Sequence, residues 1–253
     1  MIKIEHVTLP SPAQMDFVIE GMRNPMSSWS KGDSFIVVPD EGLDVSGKKI
    51  DNLDTFDEEF WLGDNDDKLM RTLAAAGTDH RKYMRQMPVF VRVTAPLYWY
   101  KEMDTYKVGT ISNSCSTMHK IAAKEFDLDD FSLEHLTDFN KNLMKQTINQ
   151  LNMMRTWYLN YDSMSDEEKA SLDPAITCKK DIWWQMIQLL PSSYNQTRNI
   201  SLNYEVLMNI YHSRKNHKLD EWRDFCAWIE TIPFAWLIVG DENVRAEGGS
   251  NNG

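Results

Sequence analysis

Cysteine is scarce in this chain and forms no pattern: Cys115, Cys178 and Cys226 are odd in number and widely scattered. That excludes a disulfide framework and a cysteine-ligated zinc site, and it suits a reducing compartment. No apolar run approaches the roughly 18–20 residues that would span a bilayer. The opening MIKIEHVTLP also lacks the long apolar core of a secretory signal. The expectation is a cytoplasmic protein that does not enter a membrane. The six histidines contain no HExxH and no paired spacing with carboxylates, so no metal site is predicted. None of the eleven glycines forms a nucleophile elbow, a phosphate loop or a dinucleotide fingerprint.

What is present is an aromatic and methionine-rich globular chain of 253 residues, with nine Trp and fifteen Met. It is long enough to bury a sizeable core as one domain. The net charge of −11 is uneven. Residues 40–67 hold eleven acids and two lysines, a net of −9, whereas the other 225 residues sum to only −2. Phe56, Phe60 and Trp61 in that segment predict an acidic surface insertion docked by its aromatics. The acidity therefore says little about a binding site. From Thr78 to Lys124 eight Lys/Arg face three acids, and the stretch closes on the hydroxyl-rich run Asn113-Ser-Cys-Ser-Thr-Met-His119. A cationic, hydroxyl-rich segment in an acidic protein suits a phosphate-bearing ligand, and equally an ordinary solvated face beside a buried strand. A nucleic-acid partner is not expected, because only this stretch combines basic and aromatic residues. Cys115 within it reads first as a small buried thiol and only second as a nucleophile.

Periodicity and punctuation predict strands over 1–7, 34–38 and 89–93, the last with Val89, Val91 and Val93 alternating before Ala95-Pro96 ends the ladder. Helices are predicted over 11–24, 67–76, 129–158, 181–190, 199–214 and 219–231, with a short one starting at the Ser165…Glu168 capping box. The whole reads as a helix-rich α/β (α+β) protein with a small sheet, one domain over residues 1–240. The AEGGSNNG ending, within residues 241–253, is expected to be a disordered tail.

Two stretches carry a family resemblance. Leu190-Pro191 followed by a short spacer, Asn203-x-Glu205-x-Leu207 and a closing Arg214 resembles the C-terminal signature of flavin-dependent thymidylate synthases, which reads L-P, spacer, N-x-R-x-L and Arg. The strand ending Ala95-Pro96 and the run after it resemble the same family's core motif, R-H-R-x-x-S-x-N-E-x-S-x-R-Y, with Asn113 and Ser116 at its Asn and second Ser. The resemblance implies an α/β homotetramer that binds FAD and dUMP between subunits and transfers a folate one-carbon unit to the pyrimidine. NADPH and methylenetetrahydrofolate would be the co-substrates. Carried over position by position, it implies that Arg214 polarises the pyrimidine and Ser116 contacts dUMP. Asn203, Asn209, Lys107 and Asn113 would lie at the cofactor.

The departures are specific. Thr105-Tyr106-Lys107-Val108 stands where the family has R-H-R, Ser114 replaces its Glu, Met118 its phosphate-binding Arg, and Glu205 the Arg of N-x-R. A carboxylate at position 205 would repel a phosphate unless it is paired. Lys101, Lys107, Arg81 and Arg92 are the available replacement cations. Each retained residue also has a plainer role: Asn113 and Ser116 as turn or helix caps, Arg214 on the last helical carbonyls, Asn203 and Asn209 as solvated helix positions. Three functions stand side by side: a pyrimidine-modifying flavoenzyme, a non-catalytic protein that binds or sequesters a nucleotide on the same fold, and a structural or interaction protein whose pocket is closed by side chains such as Met118 and Trp99.

Overall fold

A computed structural model describes residues 2–37 and 59–240. Most of the acidic segment and the 241–253 ending lie outside the described residues. In chain order the elements are β1 (Lys3–Thr8), α1 (Pro12–Arg23), β2 (Phe35–Val37), β3 (Glu59–Trp61), α2 (Asp64–Ala75), β4 (Pro88–Pro96), α3 (Leu97–Met103), β5 (Ile111–Ser114) and α4 (Thr117–Lys120). They continue with α5 (Asp138–Asn160), α6 (Asp166–Ala170), α7 (Lys179–Leu189), β6 (Asn195–Asn203), α8 (Tyr204–Arg214), α9 (Asp220–Thr231) and α10 (Trp236–Val239). Four strands form an antiparallel sheet in the order β1-β4-β6-β5, and β2 pairs with β3 in a separate ribbon. The protein is thus helix-rich with a small antiparallel sheet.

Several elements follow directly from local chemistry. Ser11 and Gln14 satisfy each other's free amides ahead of Pro12, so α1 starts where its capping box sits and stops at Asn24-Pro25. Along β4 the inward side chains Val89, Val91, Val93 and Ala95 are buried, while Phe90 and Arg92 face outward. A first hydrophobic cluster joins this strand to α1, α8 and α9 around Trp99, Tyr100, Trp222 and Phe225, with the Trp99 and Trp222 rings 4.7 Å apart. A second cluster lies between α5 and α7 and includes Ile148, Leu151, Ile182 and Met186.

Three sequence expectations need correction. The predicted 199–214 helix is two elements: β6 ends at Asn203, whose side-chain oxygen accepts the Val206 amide and caps α8. Only Ile200 and Leu202 mark the inward face of β6, and Asn, Gln, Thr and Arg fill most of the rest, so its strand character is set by pairing with β4 and β5 on its two sides. The strand β5 was likewise not marked by its own sequence. The predicted 129–158 helix starts at Asp138, because Asp127 and Asp130 form a capping box around a 3-10 turn and Ser132 donates its amide to the Ser193 carbonyl. Its buried face is Met144, Ile148, Leu151 and Met154, whereas Phe139 and Leu143 are 79% and 55% exposed.

The 67–76 helix begins one turn earlier, so Asp64, Asp66 and Asp67 form the first turn of α2, where acids suit the positive helix end. Asp66 is fully buried, and Arg23 donates to it at 2.6 Å. Burial alone would raise this carboxyl, but hydrogen bonds from the Ser34 hydroxyl, the Asp33 amide, Arg23 and the Ser34 amide outweigh it and hold it below the usual carboxylate range. This unit ties α1 and the β2–β3 ribbon to α2. Of the aromatics expected to dock the acidic segment, Phe60 packs on the first cluster beside Phe234, Trp61 is exposed and stacks on Phe35, and Phe56 lies outside the described residues.

The phase of α5 is testable by paired substitutions. Leu151→Ala is expected to cost about 2–5 kcal/mol of unfolding free energy, and Leu143→Ala no more than about 0.5 kcal/mol. Urea unfolding of both variants decides the matter, and equal losses would contradict the observed face.

Candidate functional site

The residues suggested by the sequence fall into separate places. Three converge where the loop between α3 and β5 meets α8. Arg214, in the last turn of α8, donates from Nε to the Tyr106 hydroxyl at 2.9 Å and from NH1 to Glu102 Oε2 at 2.7 Å. Trp222 Nε1 donates to the same Glu102 oxygen at 2.8 Å, and His217 Nε2 lies 3.4 Å from it. The guanidinium also sits 5.0 Å from the Trp222 ring centre and 5.7 Å from that of Tyr106, within cation–π range. Arg214 is therefore clamped in place by groups from α3, α9 and the loop, rather than bonded to helical carbonyls.

Lys107 follows Tyr106 on that loop and is exposed. Gly109 brings the loop against the α8 cap: its φ is +76°, and a Cβ there would lie 3.0 Å from Asn203 Nδ2 and 3.1 Å from Val206 Cγ2. The position needs glycine for both reasons. Asn203 thus serves as the α8 cap while its amide group faces the loop. Between loop and sheet lies a small cavity of about 170 Å³ walled by residues including Tyr106, Lys107, Thr110, Ser112 and Ile200. The Thr110 hydroxyl is buried without a hydrogen-bond partner. Nearby, Arg198 donates to Asp104 at 2.7 Å and lies 3.8 Å from the Tyr100 ring centre.

Asn113 stands elsewhere, on the outward face of the sheet. The register Glu5↔Arg92, Arg92↔Asn199 and Asn113↔Asn199 aligns these four residues in one row across all four strands. Phe90, Arg92, Ile111, Asn113, Asn199 and Ser201 line an open groove of about 360 Å³ on this face. Ser116 is exposed and caps α4 by accepting the His119 amide at 3.2 Å, the plainer of its two expected roles. Asn209 is an exposed position on α8. Met118 is exposed, and its carbonyl accepts from Trp183 Nε1. Cys115, expected to be a buried thiol, is exposed; the buried one is Cys226, whose pKa burial pushes up to about 12.

The reversed charge at position 205 is answered within the fold. Arg85 grips the Glu205 carboxylate with two donors, the second at 3.1 Å, and Arg81 Nε lies 3.5 Å from it. Hydrogen bonding to Glu205 raises the Arg85 pKa further. Glu205 is thus paired by two arginines from the 3-10 turn at Arg81–Gln86, and Asp79 also acts on Arg85. Sequence reasoning named Arg81 but missed Arg85, whose partner Glu205 lies 120 residues along the chain. Burial first, then Lys215 and Arg81, lower the pKa of neighbouring His212. Among the described residues no group of three His, Cys, Asp or Glu side chains is placed to hold a metal, and no helix is long and apolar enough to cross a membrane.

Compared with known proteins, the sequence matches no protein-family model and no curated protein. Solved structures do match. The thymidylate synthase X of Helicobacter pylori, crystallised with FAD and dUMP, aligns over 95% of this chain and 97% of its own at 14% identity, with a TM-score of 0.55. A second structure of the flavin-dependent thymidylate synthase of that organism, also with FAD and dUMP, gives 0.54 at 15% identity over 95% and 98%. A UMP/dUMP methylase from Streptomyces cacaoi aligns over 91% and 88% with a TM-score of 0.49 at 14% identity. The chain has the fold of flavin-dependent thymidylate synthases along nearly its whole length.

Glu205→Gln would remove the carboxylate shared by Arg81 and Arg85, leaving Asp79 as the remaining acid acting on Arg85. We expect a loss of about 1–3 kcal/mol, at the lower end if solvent screens the half-exposed Arg85. An unchanged urea midpoint would show that the carboxylate does not hold this corner together.

Proposed function

We propose that the chain acts on a pyrimidine nucleotide in the manner of a flavin-dependent thymidylate synthase, methylating dUMP or carrying out a related base modification. The observation that carries this reading is the clamped Arg214 beside Lys107, Asn203 and a cavity with an orphaned Thr110 hydroxyl, on a fold whose solved examples hold FAD and dUMP. The donor set fits part of such a ligand: Lys107 suits a phosphate, Arg214 a ring carbonyl, and Thr110 a polar ring atom. A space of about 170 Å³ is too small for a whole dinucleotide, since ligand pockets commonly measure about 300–1,000 Å³. The reading therefore includes assembly into a homotetramer whose partner subunits complete the site. FAD is the proposed cofactor, with NADPH and methylenetetrahydrofolate as co-substrates. When bound and reduced, the flavin would supply reducing equivalents for one-carbon transfer. The chain's own part is to bind and orient the base and to stabilise negative charge developing on it through Arg214, whose geometry is fixed beforehand by Glu102 and Tyr106.

One feature favours the second reading, a nucleotide-binding protein without turnover. The charge of Arg214 is matched by Glu102 and that of Arg198 by Asp104, which leaves exposed Lys107 as the unmatched cation of this corner among the described residues. A matched cation still orients a base but stabilises developing charge less.

Arg214→Ala discriminates between them. On the enzymatic reading, turnover of dUMP with FAD, NADPH and methylenetetrahydrofolate falls by about 10²–10³-fold, while light scattering shows an unchanged oligomer. Normal turnover in the variant would remove Arg214 from the chemistry. Saturable dUMP binding by wild type with no turnover would establish the binding protein instead.

A further inference from the structure

A second polar cavity lies apart from these residues, between the end of α1 and the outer face of α2. It is an open hollow of about 450 Å³ that shares no lining residue with the cavity beside Lys107. Arg23, Ser28, Lys31 and Lys68 line it together with the apolar side chains of Met26 and Leu69, and no acid lines it among the described residues.

Two of its polar groups are unfinished. Arg23 is only 4% exposed; its Nε is bound to Asp66 and its NH1 to the Ser28 carbonyl at 3.3 Å, but its NH2 is buried with no partner. The Ser28 hydroxyl is buried and unpartnered as well. Buried donors are normally satisfied, and a pair of orphans in one cavity wall marks a place where an acceptor belongs. Lys31 and Lys68 make no ion pair among the described residues and add two cations at the rim. Asp66, the one carboxylate on Arg23, also accepts from the Asp33 and Ser34 amides and the Ser34 hydroxyl, so it faces the ribbon with its remaining capacity. The arrangement offers a rigid guanidinium edge, a hydroxyl and two mobile ammonium groups. These match an anion with several oxygens.

We propose that this hollow is a binding site for a small phosphate-bearing molecule. The phosphate oxygens accept from Arg23 NH2, Ser28 Oγ, Lys31 and Lys68, and the body of the molecule rests on Met26 and Leu69. The site is separate from the one assigned to the pyrimidine nucleotide.

Inorganic pyrophosphate, titrated by calorimetry into the full-length protein at low salt, is the probe. Wild type is expected to show saturable binding. Lys31→Ala/Lys68→Ala, which alters two exposed side chains, should weaken it at least tenfold with an unchanged melting temperature. Ser28→Ala, which leaves the charge alone, should weaken it several-fold, and Lys107→Ala, at the other cavity, should not affect this binding. Absence of saturable binding in wild type, full binding in the double lysine variant, or a fall in Lys107→Ala equal to that in the lysine variant would each overturn the proposal.

Discussion

A single carboxylate oxygen of Glu102 accepts hydrogen bonds from Arg214 and Trp222 and has His217 at its edge. Those partners come from α8, from α9 and from the turn between them, while Glu102 itself sits on α3, directly after the central strand β4. The contact therefore ties α3, α8 and α9 together and, through Tyr106, holds the start of the loop that follows α3. Trp222 shows how polar and apolar terms are combined here. Its ring packs against Trp99, Phe225 and Tyr106 while its one N–H is satisfied by Glu102. Trp99 beside it is also fully buried, but its own Nε1 has no hydrogen-bond partner among the described residues, so the polar satisfaction here belongs to Trp222.

The same contact shapes what Arg214 can do. A guanidinium held by Glu102, Tyr106 and the Trp222 face has little freedom left to lose when a ligand arrives. Its charge, however, is partly spent on Glu102. Position 205 shows the opposite arrangement, a carboxylate outnumbered by Arg81 and Arg85. Charge in this fold is distributed by pairing across the chain. The net acidity of the sequence, concentrated in residues 40–67, does not describe the local field around either corner.

How much of this was legible beforehand divides along a physical line. Elements fixed by neighbours in sequence were readable: the α1 helix within 11–24, the Ser165 capping box before α6 and the valine alternation of β4. Elements fixed by distant partners were not. β6 is a polar strand held by pairing on both sides, and the start of α5 is set by the Ser132–Ser193 contact rather than by periodicity. In the site, Asn203 and Arg214 were identified by a resemblance that spans one contiguous stretch, and both sit close to the α3–β5 loop. Glu102 and Arg85 were invisible because their partners lie more than a hundred residues away. Asn113, Ser116 and Asn209 came from the same resemblance, yet within one chain they stand apart from Arg214.

The proposed function requires a flavin- and nucleotide-binding site on the thymidylate synthase-type fold. The most direct measurement is the visible absorption spectrum of the purified protein before and after addition of FAD, followed by mass spectrometry of what heat denaturation releases. The account predicts a bound-flavin band that saturates with added FAD and shifts on addition of dUMP, with intact FAD in the supernatant. A protein that stays colourless with excess FAD would contradict it.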